Sequence, residues 1–122
     1  MRRVRWALVP GLAVLLTVSG AALHNHLVKS EPGVGAVLEQ SPTEIRLWFA
    51  EKPEVAFTSV TLMKGDSTRI ATIRGVRTDD SMAVAIPLPA PPLAPGDYLV
   101  GWRTASRDGH AVRGTFGFTI SP

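Results

Sequence analysis

An all-β fold, a small Greek-key β-sandwich or barrel of Ig-like type with about seven strands, is what this sequence predicts for residues 24–122. Three observations predict it. Short runs of alternating apolar and polar residues recur along the chain, rich in Val, Ile, Thr and aromatic side chains. Breakers built from Pro, Gly, Asp and Ser separate these runs. After residue 26, no segment of useful length carries apolar residues at helical spacing.

The preceding residues, 1–23, read as a cleavable signal peptide. Met1 to Arg5 is basic, residues 6–18 are apolar apart from Pro10, Gly11 and Thr17, and residues 19–23 offer small side chains for cleavage. The apolar run falls short of the about 20 residues that a membrane-spanning helix needs. Residues 24–122 then form one domain, long enough for one core. Removing Arg2, Arg3 and Arg5 leaves ten Lys and Arg against ten Asp and Glu. That balance gives no basic patch of the kind that takes nucleic acid. There is no cysteine. A disulfide, a thiolate metal site and a cysteine nucleophile are therefore excluded.

Within the domain, strands are expected over 45–49, 55–62, 69–73, 82–86, 97–104 and 112–120. The fifth puts Tyr98, Val100 and Trp102 on one face. The sixth does the same with Val112, Gly114, Phe116, Phe118 and Ile120. Breakers at 31–33, 41–42, 52–53 and 78–81 separate them, and the proline-rich stretch 87–96 reads as a crossover between strands. Trp48, Phe49, Phe57, Trp102, Phe116 and Phe118 are expected as core or half-buried packing.

Chemistry concentrates in three histidines and one aspartate. Asp108 and His110 are two residues apart, which puts both side chains on one side of an extended backbone. Gly109 between them allows a tight turn. Alone, Asp-Gly-His also describes a solvated turn. His24 changes the balance. With the leader cut before it, its α-amine and Nδ1 chelate one ion. His110 adds a third nitrogen and Asp108 an oxygen, and such a set suits Cu(II). Zinc accepts the same residue types in a tetrahedron. His26 shares a face with His24 in an extended strand, and is either a further ligand or an exposed strand residue.

These stretches resemble the CopC family of exported copper-binding proteins. The resemblance spans nearly all of 24–122. It is carried by His24-Asn25-His26 with Pro32 and Gly35, by Ile45 to Glu51, and by Gly114-Thr115-Phe116-Gly117-Phe118. The most specific stretch is Tyr98-x-Val100-x-Trp102-Arg103 followed by Ser106-x-Asp108-x-His110. The resemblance implies a Greek-key sandwich and a Cu(II) site made by His24, Asp108 and His110, with Glu51 as a weaker candidate. It implies a monomeric, non-enzymatic protein in the periplasm or an equivalent extracytoplasmic space. There it would sequester or carry copper for homeostasis or resistance and pass it to a CopD-like membrane transporter.

Two departures stand out. Only Met63 and Met82 remain after residue 23, too few for the methionine-rich Cu(I) loop of some members. Leu23 precedes His24, whereas signal peptidase prefers a small residue there. Two other readings fit parts of the pattern. One is a metal-free Ig-like interaction module. The other is an N-terminal-histidine copper monooxygenase, whose open coordination position Asp108 would fill.

Overall fold

The computed structural model describes residues 25–122. The leader expected over 1–23, and His24 itself, lie outside the described residues. Nine strands and one 3-10 turn follow in order: β1 (Leu27–Glu31), β2 (Val37–Leu38), β3 (Glu44–Phe49), η1 (Val55–Phe57), β4 (Ser59–Lys64), β5 (Arg69–Arg74), β6 (Val76–Arg77), β7 (Ala83–Pro87), β8 (Gly96–Ala105) and β9 (Ala111–Ile120). The seven longer strands meet the expected count, and β2 and β6 add two residues each.

They form two sheets. One has the order β1-β3-β7-β6 and the other β2-β9-β8-β4-β5. All pairs are antiparallel except β2 with β9. The period-2 pattern explains why each strand lies as it does. In β3, Ile45, Leu47 and Phe49 are buried while Glu44, Arg46 and Trp48 face outward. In β8, Tyr98, Val100, Trp102 and Thr104 point inward. β9 adds Phe116, Phe118 and Ile120. A one-residue slip would turn these core side chains to water, so burial fixes the register. Each fully buried Leu, Ile or Phe contributes about 1.5–3 kcal/mol, and without disulfides this packing is what holds the domain.

Two aromatic pairs tie the layers. Phe49 meets Trp102 edge-on at 5.6 Å between ring centroids, and Tyr98 stacks on Phe118 at 5.5 Å. The Tyr98 hydroxyl donates to the Ala94 carbonyl at 2.5 Å. That bond anchors the expected proline crossover, which carries the chain from β7 in one sheet to β8 in the other.

Two expectations are corrected. Residues 55–57 are a 3-10 turn, and the strand begins at Ser59. The Phe57 and Thr58 amides donate to the Glu54 and Val55 carbonyls, and the Thr58 hydroxyl donates to Glu54 as well. This local closure competes with sheet pairing. It also turns Phe57 outward, so that the ring is 66% exposed rather than in the core.

Candidate metal centre

The β8–β9 hairpin closes through a five-residue loop, and its own hydrogen bonds dictate the loop's shape. The Ser106 amide donates to the His110 carbonyl at 3.0 Å, and the Gly109 amide to the Ser106 carbonyl at 2.9 Å. Gly109 sits at φ +84°, in the left-handed region that a side chain disfavours. Ser106 is 1% exposed and lies beneath the loop. Its hydroxyl donates to Asp108 Oδ1, which also accepts the His110 amide at 3.0 Å. The other carboxylate oxygen, Oδ2, is 2.7 Å from His110 Nδ1.

The loop thus holds an anion against an imidazole at a solvent-facing tip. The His110 side chain is 70% exposed. The Ser106 hydroxyl, then the His110 ring and its amide, hold the Asp108 carboxyl well below the usual carboxylate range. Asp108 is therefore an anion at any ordinary pH. The 2.7 Å separation has a second meaning. Metal–nitrogen and metal–oxygen bonds of about 2.0 Å place adjacent donors at right angles about 2.8 Å apart. The Nδ1–Oδ2 edge already has the span of one side of a coordination square.

The start of the described chain is equally fixed. Asn25 is 2% exposed. Its side-chain amide donates to the Glu51 carbonyl and its oxygen accepts the Glu51 amide, each at 2.8 Å. The same oxygen takes the His26 amide at 3.0 Å. Asn25 therefore acts as one rung of a ladder, clamping the chain just before β1 to the chain just after β3. No local pattern signals this clamp, because the partner of Asn25 lies 26 residues away.

The hairpin tip and this clamp lie at the same end of the sandwich. Phe49 and Trp102 touch across the sheets near the C-terminal ends of β3 and β8. Two residues beyond Phe49 comes Glu51, held to Asn25, and four beyond Trp102 comes Ser106. Of the residues expected to bind metal, the structure brings Asp108 and His110 together. Glu51 enters through its backbone, not its carboxylate. His26 is exposed on the run into β1. Among the described residues no three His, Cys, Asp or Glu side chains gather into a metal-holding group. His24, the expected third donor, lies outside the described residues, one position before the Asn25 clamp.

Comparison with known proteins identifies the family and the fold. Protein YobA of Escherichia coli K12 is 32% identical over 120 residues, covering 98% of this chain and 95% of that protein. Copper transport protein CutJ of Bacillus subtilis is 26% identical and matches 98% of this chain, but only 22% of its own length. The crystal structure of CopC from Methylosinus trichosporium OB3b superposes with a TM-score of 0.72 and 30% identity. That superposition covers 81% of this chain and 95% of that one. Residues 27–121 match the CopC domain, and the chain belongs to the CopC family.

Proposed function

We propose that this protein is an extracytoplasmic Cu(II) carrier, located in the periplasm or its equivalent, that binds one copper ion per chain. Its donors are the amine and imidazole of His24, the imidazole of His110 and the carboxylate of Asp108. The observation that carries this reading is the locked Asp108–His110 pair, with its 2.7 Å donor edge, at the end of the sandwich where the Asn25 clamp also fixes the chain. Imidazole, amine and carboxylate together favour Cu(II) over Cu(I). Leader cleavage between Leu23 and His24 completes the chelate.

The carrier passes its ion to a CopD-like membrane partner. CutJ supports this, because there a segment matching this whole domain is part of a much longer copper transport protein.

Intact mass of the exported protein, measured with and without copper, tests the reading. A chain beginning at His24 that gains one copper is the expected result. A chain beginning elsewhere that still gains one copper would remove the amine from the donor set. His110→Ala should weaken Cu(II) more than Asp108→Ala in a competition titration, since imidazole is the better donor. Unchanged affinity in both variants would overturn the site.

A further inference from the structure

A cavity of about 640 Å³ opens beside the hairpin loop. One wall is the loop itself, through Ser106, Arg107 and Gly109. The opposite wall is the 3-10 turn that carries the exposed Phe57. The rim is cationic. Arg74 on β5 and Arg103 on β8 both align with Ser59 on β4, so the two side chains share the outer face of the sheet. Arg107 projects from the loop. All three are exposed, and among the described residues none makes an ion pair. A fourth arginine, Arg113, sits directly opposite Arg103. Like charges facing each other across strands destabilise a sheet. Among the described strand pairs this is the one place where like charges face each other.

We propose that this groove docks an extended acidic segment of a partner polypeptide, two of its carboxylates engaging the arginines and an apolar side chain covering Phe57. Charge complementarity carries the choice of occupant. The groove has three guanidiniums suited to bidentate carboxylate pairing and one lining carboxylate, Glu54. Its dimensions fit. From β5 across β4 and β8 to β9 is three strand spacings, about 14 Å, which an extended peptide covers in about four residues. The concave shape and the aromatic wall suit a peptide better than the flat face of an anionic bilayer. That the docked partner receives copper rests on the reading of the neighbouring loop given above. The docking itself does not.

The test is fluorescence anisotropy of a labelled six-residue peptide of glutamates around a central leucine, added to the metal-free protein. Saturable binding is expected, weakened at least about tenfold by Arg103→Glu and reduced as salt screens the charges. Lys64→Glu, the same charge change at the far end of β4, should leave it unchanged. Arg103→Glu should also raise the melting temperature, because it turns a like pair with Arg113 into an opposite pair. A loss of binding by misfolding cannot do that. Three results would overturn the proposal: no saturable peptide binding, equal loss in Lys64→Glu, or retention by anionic phosphatidylglycerol vesicles with no affinity for the peptide. Copper titration of the same samples reads the metal site separately, so either reading can fail without the other.

Discussion

Replacing Gly109 with alanine separates the shape of the Asp108–His110 loop from the stability of the domain. At φ +84° an added Cβ meets no atom within 4 Å, so the penalty comes from the backbone alone. Holding an L-residue in the left-handed region costs about 1–2 kcal/mol. The loop has two responses. It keeps its shape, and the melting temperature of this domain falls by about 4–8 °C for each kcal/mol. Or it relaxes to negative φ, breaks the Gly109–Ser106 hydrogen bond and pulls Asp108 away from His110, and Cu(II) affinity falls by up to about 5–30-fold, the equivalent of the same energy. Gly35 is the control. It has φ +71° and equally open space, and it hydrogen-bonds Gly117 in the other half of the sheet. Thermal unfolding and Cu(II) competition should show Gly35→Ala destabilised with copper affinity intact, and Gly109→Ala losing melting temperature, copper affinity or a share of each. Equal loss of affinity in Gly35→Ala would refute the reasoning, as would a Gly109→Ala protein unchanged in both assays.

Asp66 and Asp108 both have carboxyls held below their ordinary pKa, by Thr68 and by Ser106 respectively. Groups depressed by folding add stability above their unfolded pKa of about 4 and lose it as pH falls toward the folded value. Melting temperature should therefore drop below about pH 4, and less steeply in Asp66→Asn and Asp108→Asn. Parallel profiles for the three proteins would count against this. Ser106→Ala removes the first hydrogen bond on Asp108 and should move its carboxyl upward toward the usual range in an NMR titration; an unmoved titration would show that the hydroxyl does not set it. Gly114→Ala would put a Cβ 2.5 Å from the Trp102 ring. Overpacking of that kind costs about 1–3 kcal/mol, visible in denaturant melts, and a neutral result would mean that Trp102 can move. Met63 lies on the outer side of β4 and Met82 just before β7 in the other sheet. Met63→Leu and Met82→Leu should thus leave copper binding unchanged, and loss of a Cu(I) site held against a competitor dye would overturn that.

The fold was legible in the sequence where its cause is local. Alternation over 97–104 and 112–120 reports which side chains face the core: the structure buries Tyr98, Val100, Trp102, Phe116, Phe118 and Ile120, and leaves Val112 and Gly114 half-buried. Asp108 and His110 were legible for the same reason, being two residues apart on one hairpin. Phe57 was misjudged because its β-like neighbours conceal a turn closed by Thr58. The Asn25 clamp depends on a strand partner 26 residues away. The arginine row depends on sheet order, since Arg74 and Arg103 become neighbours only when β4 lies between β5 and β8. No window along the chain contains either.

The Asn25 clamp has a consequence for biosynthesis. On the proposed reading the mature chain starts at His24, one residue before the Asn25 clamp that folding fixes. On the same reading, the terminal amine is set by whichever bond an export protease cuts. A cut one residue early moves that amine by about 3.8 Å, one Cα step, and leaves the imidazole on residue 24. Coordination quality then becomes a property of the secretion machinery as much as of the gene. A population trimmed at two positions would titrate as two classes of site from one sequence.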